Sequence, residues 1–202
     1  MRRALLILLL AGSALAEPIR VHVTVALCDN VSQGIVPVPP LIGNGDDPRN
    51  NLYWGASLGV KSWLRREKWQ VQTVPAQKPI LERIIAKKTI DGHEVTITAD
   101  AWQGKRIRDA ITSFIEEANG IGTNADVVAY IGHDGLMEFD VAPRTGGKPR
   151  KAIVLACASR RYFGRAARRL AGGTPALLRT ALTCARGPTA PVRSGRVPSR
   201  LR

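Results

Sequence analysis

Cysteine is scarce in this chain of 202 residues, which has neither a CxxC pair nor an HExxH motif. The three cysteines are Cys28, Cys157 and Cys184. An odd number of cysteines leaves at least one thiol free or paired with another chain. The three histidines are His22, His93 and His133. Because they are widely spaced, we expect no zinc site, and no motif indicates a cofactor.

Acidic residues are absent from the last third of the chain. Asp140 is the last of them, and 15 Lys and Arg follow it, whereas the residues up to Asp140 carry 15 basic and 16 acidic groups. The formal charge of +14 therefore belongs to the C-terminal part. The composition of residues 184–202 predicts a basic disordered tail, and we expect no nucleic-acid partner. The alternative is a truncated or frameshifted product, because GC-rich DNA read in a wrong frame gives a similar composition.

Long apolar runs are also missing, since none approaches the roughly 20 residues that cross a bilayer core. The N terminus instead has Arg2 and Arg3, an apolar run over 4–11 and a small-residue stretch that ends at Ala16. This order is typical of a secretory signal peptide over residues 1–16, with cleavage before Glu17. We therefore expect an exported protein, periplasmic or secreted, without a membrane span after cleavage.

Residues 17–183 have the length and hydrophobicity of one globular domain. Alternating or β-branched runs predict strands over 19–28, 69–74, 94–99, 126–131 and 152–156. Apolar periodicity predicts helices over 50–68, 80–88 and 107–118, the first of them capped by Asp46 or Asp47. Because strands and helices alternate, we expect an α/β fold of three layers, a mainly parallel sheet with helices on both faces.

Reactive residue types follow three of the predicted strands. The three segments are Cys28-Asp29-Asn30, His133-Asp134-Gly135 and Cys157-Ala158-Ser159. The carboxyl ends of parallel strands meet at the edge where α/β sheets bind ligands. A cysteine and a histidine at that edge can supply a thiolate nucleophile and its acid–base partner, while backbone N–H groups of a glycine-rich turn hold the oxyanion. Of the remaining candidates, we expect Cys28 to pack in the core, and His22 and His93 to be structural or solvated.

The order of these motifs from Val95 to Phe163 resembles the caspase-like cysteine peptidases, and among them most closely the legumain family. In that pattern a D-x-x-G turn precedes a helix, one strand ends in His-Gly and the next ends in Ala-Cys-x-Ser. The corresponding segments here are 100–104, where three residues rather than two separate Asp100 from Gly104, His133-Asp134-Gly135 and Ala156-Cys157-Ala158-Ser159. The resemblance implies a caspase-like fold, a catalytic dyad of Cys157 and His133, and a peptide or protein substrate lying across the sheet edge. Asn30 occupies the strand end where legumains place an asparagine.

This sequence departs from the family pattern next to both proposed catalytic residues. Asp134 separates His133 from Gly135, so the glycine that would serve the oxyanion is displaced by one position. Asp134 is therefore expected either to orient His133 or to indicate a different chemistry. Ala156 replaces the glutamate that legumains have before the cysteine. A catalytically inactive binding domain of the same fold is the alternative to an enzyme.

Overall fold

The computed structural model describes residues 17–170 and 177–178. Within these residues, six strands and a two-residue seventh strand form one mixed sheet, accompanied by three helices. The strands are β1 Ile19–Ala26, β2 Gln70–Val74, β3 Ile80–Ile90, β4 His93–Trp102, β5 Val127–Ile131, β6 Lys151–Leu155 and β7 Leu177–Leu178, and the helices are α1 Val60–Arg66, α2 Ile107–Ala118 and α3 Ser159–Leu170. The predicted signal peptide, residues 1–16, and the predicted tail, residues 184–202, lie outside the described residues.

The strands are arranged in the order β2-β3-β4-β1-β5-β6-β7. Neighbouring strands from β4 to β7 are parallel, whereas β3 is antiparallel to both β2 and β4. The predicted α/β architecture is therefore confirmed, in a mixed sheet whose parallel part runs from β4 to β7. Because β1, β5 and β6 are consecutive in the sheet and run in the same direction, their carboxyl ends lie along one edge.

Helices cover both faces of this sheet. On one face, α2 buries Ile107, Ile111 and Phe114 in a cluster with residues of β1, β5 and β6, and α3 adds Phe163 to it. On the other face, Leu64 of α1 joins a second cluster with residues of β1, β3 and β4. The helix predicted over 107–118 is confirmed at both ends, since its buried residues follow the 3.6-residue period.

The short helix predicted over 80–88 is wrong, because this segment belongs to the 11-residue strand β3. β3 forms a hairpin with β4, and the two strands are joined by Asp91 and Gly92 with φ of 49° and 81°. Positive φ at both central residues is the geometry that Asp-Gly favours in tight hairpins. This Asp-Gly turn and the β-branched residues around it therefore outweigh the apolar spacing that had suggested a helix.

The helix predicted over 50–68 is confirmed only at its C-terminal end, as α1. Residues 52–59 form successive turns, and α1 has Gly59 rather than Asp46 or Asp47 at its N-terminal boundary. Asp47 instead accepts the backbone N–H of Arg49 in the turn before them. Gly59 packs so closely on the Trp54 backbone that an added Cβ would lie 2.4 Å from it. Tight backbone packing, rather than an amphipathic helix, therefore organises this segment.

Candidate active site

His133 and Cys157 follow β5 and β6, which are neighbouring parallel strands paired in register from Val127 opposite Lys151 to Ile131 opposite Leu155. The Gly132 N–H donates to the Leu155 carbonyl at 3.4 Å, so the two chain segments remain adjacent up to the residue before the histidine. This pairing brings the two sequence-predicted catalytic residues to the same sheet edge.

The backbone at His133 is held from two directions. Its carbonyl accepts the Tyr130 hydroxyl at 2.7 Å and the Gly135 N–H at 3.0 Å. Its side chain is only 8% exposed, and Nε2 lies 2.6 Å from Oε1 of Glu138. The imidazole is therefore oriented by a carboxylate, which is the arrangement that prepares a histidine for acid–base work.

Glu138 is the functional candidate that sequence reasoning missed. Its Oε1 also accepts the Gly34 N–H at 3.0 Å, so one carboxylate links the loop after β1 to the histidine. Glu138 directly follows a 3-10 turn, Gly135–Met137, that brings it back towards His133. A glutamate five residues after His133 is the only sequence signal, and its meaning depends on that turn.

Asp134 does not occupy the orienting position considered for it. Its side chain is completely buried, and neither carboxylate oxygen has a hydrogen bond of ordinary geometry. Burial raises the pKa of Asp134 to about 7, the nearby Leu136 N–H opposes the rise, and the negative charge of Glu138 adds to it. The carboxylate that contacts His133 is therefore Glu138, and Asp134 is a buried acid that titrates near neutral pH.

Gly135 is required by close packing. A Cβ at this position would lie 2.4 Å from the Phe139 ring, and the Gly135 N–H is already bonded to the His133 carbonyl. The role of oxyanion donor expected for the displaced glycine is therefore not available to this N–H in the observed conformation. Gly135 instead fixes the sharp bend after the histidine.

Cys157 is half-buried at the end of β6, and its sulfur is disulfide-bonded. Cys28 carries a free thiol and so is not its partner, while Cys184 lies outside the described residues. Ala158 has a φ of 51°, a left-handed conformation that is uncommon for residues other than glycine, and α3 begins at the next residue. A cysteine just before a helix N terminus lies where the helix dipole favours a thiolate once the sulfur is reduced.

Cys28 is the free thiol at this edge, and it is fully buried, as the sequence predicted. Burial, with a smaller contribution from the Asp29 carboxylate, raises the pKa of the Cys28 thiol to about 11. The backbone of Cys28 is held by the buried side chain of Asn51, which accepts its N–H at 3.0 Å and donates to its carbonyl at 2.8 Å. Cys28 is therefore a protonated core residue, and Asn51 positions the end of β1.

Asn30 holds the loop that follows β1. Its side-chain amide donates to the Val38 carbonyl at 2.7 Å, and its Oδ1 accepts the Val38 N–H at 3.0 Å. Its backbone N–H donates to the Gly43 carbonyl at 2.9 Å. These bonds use one N–H and one acceptor site of the amide, so Asn30 shapes the loop beside the site.

Two further searches apply to the described residues alone. In residues 17–170 and 177–178, no group of three or more His, Cys, Asp and Glu side chains is arranged to hold a metal ion. Nor does that part of the chain contain a helix that is both long and apolar enough to span a membrane.

Comparison with known proteins gives no relative for this chain: no protein-family model, no curated protein and no solved structure matches it significantly.

Proposed function

We propose that this chain is a caspase-like cysteine hydrolase, a peptidase in which Cys157 is the nucleophile and His133 the acid–base partner. The observation that carries the proposal is the parallel pairing of β5 with β6, which brings the two residues to one sheet edge. The contact between His133 and Glu138 supports it, because an acid–base histidine needs an orienting partner.

The reaction requires a reduced Cys157. A thiol reductant would convert the disulfide into two thiols and be oxidised to its own disulfide in turn. The Cys157 thiolate would then attack the substrate carbonyl carbon and form a C–S bond, while His133 gives a proton to the departing amine. Water would hydrolyse the thioester, with His133 taking its proton and the thiolate leaving as the acid is released.

Cleavage of a peptide library by the full chain tests this proposal, measured with and without dithiothreitol. We expect cleavage only with the reductant, its loss in Cys157→Ala and in His133→Ala, and its retention in Cys28→Ala. Near neutral pH the reduced protein should react with iodoacetamide at Cys157 much faster than at Cys28, because the Cys28 thiol is buried and has a pKa of about 11. Equal labelling rates and no cleavage under reducing conditions would exclude the enzyme.

A binding domain without activity is the second candidate, and the disulfide at Cys157 is the observation that favours it. In that case the cysteine is structural. Reduction would then lower the thermal stability of the protein and produce no cleavage, whereas an enzyme gains activity under the same conditions.

Export is the remaining part of the proposal, and it rests on the sequence of residues 1–16. Expression of the full chain in a bacterium, followed by N-terminal sequencing of the product outside the cytoplasm, should give a chain that begins at Glu17. Retention of an uncleaved chain in the cytoplasm would contradict export without affecting the proposed chemistry.

A further inference from the structure

A cavity of about 540 Å³ opens on the α2 side of the sheet, beside the amino-terminal half of β1. Its walls include Arg20 and His22 of β1, Arg83 of β3 and Glu117 of α2. Neither His133, Glu138 nor Cys157 lines it, so this cavity is separate from the candidate active site. Its volume falls within the range of about 300–1,000 Å³ that is usual for small-molecule pockets.

An ion network forms one wall of the cavity. Asp100 is 1% exposed and accepts Nε and Nη2 of Arg83 at 2.5 and 2.6 Å. His22 lies between two carboxylates, with Nε2 3.2 Å from Asp100 and Nδ1 2.5 Å from Glu117. Burial disfavours the charged ring, but hydrogen bonds to Asp100 and Glu117 outweigh it and raise the pKa of His22 to about 9. The two carboxylates therefore already have cationic donors within the protein.

The arginines of the wall, by contrast, keep N–H donors that are available to a ligand. Arg83 binds Asp100 through Nε and Nη2, and Arg20 binds Asp126 through the same two atoms at 3.4 and 3.5 Å. A guanidinium carries five N–H donors, so each arginine keeps donors that these bonds do not use. The cavity is further lined by the hydroxyl side chains of Thr96, Thr98, Ser113 and Thr123.

The charges of this wall limit what the cavity can hold. Three cations, Arg20, His22 and Arg83, are balanced by three carboxylates, those of Asp100 and Glu117 in the wall and that of Asp126, which binds Arg20 outside the lining. A balanced wall does not compensate a ligand with several negative charges, whereas its spare N–H donors suit one carboxylate. The hydroxyl side chains suit a ligand that both donates and accepts hydrogen bonds.

We infer that this cavity binds a small hydroxycarboxylate of the sugar-acid class. The carboxylate lies against the spare guanidinium N–H groups of Arg20, and the ligand hydroxyls bond the side chains of Thr98 and Ser113. Binding at this site does not involve Cys157. A failure of the hydrolase proposal would therefore leave this inference intact, and the reverse also holds.

Titration of the full chain with three matched six-carbon probes tests the inference, with heat of binding and melting temperature as readouts. Gluconate has both groups, sorbitol has the hydroxyls without the carboxylate, and hexanoate has the carboxylate without the hydroxyls. We expect saturable binding of gluconate with a Kd at least tenfold lower than that of either partial probe. No saturable binding of gluconate, or equal binding of all three probes, would overturn the inference.

Two variants then locate the site. Thr98→Val removes one lining hydroxyl at nearly constant shape, and Arg20→Gln changes an exposed arginine, so neither unpairs the buried Asp100. Each should raise the Kd for gluconate about tenfold. Thr89→Val, at an exposed position of β3 outside the cavity, should leave the Kd unchanged. Wild-type affinity in both cavity variants would place the binding elsewhere and refute the assignment.

Discussion

Nε2 of His133 lies 2.6 Å from Oε1 of Glu138, and the same oxygen accepts the Gly34 N–H at 3.0 Å. The carboxylate thus connects the turn after β5 to the loop after β1. A histidine held in this way has a fixed ring orientation without contact from its neighbour in sequence, Asp134. Glu138 is therefore the positioning residue of the candidate dyad.

If the proposed hydrolase activity is present, Glu138→Ala should lower kcat about a hundredfold, at the low end of what acid–base catalysis contributes, with little change in KM. Glu138→Gln should recover part of the rate, because an amide can still hold the imidazole. Asp140→Ala is the control, since it removes an exposed carboxylate two residues away. Unchanged kcat in Glu138→Ala would show that the contact has no positioning role.

Asp134→Asn should stabilise the protein at high pH. Because burial raises the folded-state pKa of Asp134 to about 7 from an ordinary 3.8, folding favours its protonated form. The contribution of protonated Asp134 to the free energy of unfolding is fully present below about pH 4 and is lost as the pH rises through 7. Urea unfolding should therefore show the variant about 1–3 kcal/mol more stable than wild type at pH 8, and the difference should shrink towards pH 4. The same stability difference at both pH values would contradict the conclusion that Asp134 titrates near neutral pH.

His22→Gln should lower the free energy of unfolding, and the loss should be larger at low pH, where His22 is protonated. The folded-state pKa of His22 is raised from 6.5 to about 9, so its stabilising contribution is complete below about pH 6.5 and disappears as the pH rises through 9. The difference in unfolding free energy between wild type and variant should accordingly be larger at pH 6 than at pH 9.5. His93→Gln, at an exposed position, is the matched control and should show no such trend.

Asn51→Ala should cost about 3 kcal/mol or more of unfolding free energy, measured by urea denaturation. The side chain is fully buried and satisfies the N–H and carbonyl of Cys28, the Tyr53 N–H and the Asn44 carbonyl. Each buried backbone group left without a partner costs about 1–3 kcal/mol.

Asn50→Ala provides the control for that measurement. Asn50 is half-buried and donates one side-chain bond, to Asp47 at 2.7 Å. Its loss should cost about 1 kcal/mol or less. Equal losses for the two variants would contradict the assignment of Asn51 as the residue that holds the end of β1.

Local patterns in the sequence determined the elements whose residues bury a single consistent face. The period of Ile107, Ala110, Ile111 and Phe114 predicted α2 at both ends, because these side chains all enter one core cluster. The apolar runs of β5 and β6 identified two parallel strands, of which β5 is buried on both faces, whereas β6 fully buries only one. The strand ends in turn predicted that His133 and Cys157 lie at one sheet edge, since parallel strands in register bring their carboxyl ends together.

Only the tertiary structure decided which groups those residues contact. The partner of His133 is Glu138 rather than Asp134 because a 3-10 turn brings the later residue back to the ring. The ion network of His22 joins three strands to α2 across 95 positions of sequence, and each pair in it depends on packing that no local pattern encodes. Side-chain spacing thus specified the elements and their edges, while hydrogen bonding and desolvation at those edges were determined only when the elements packed together.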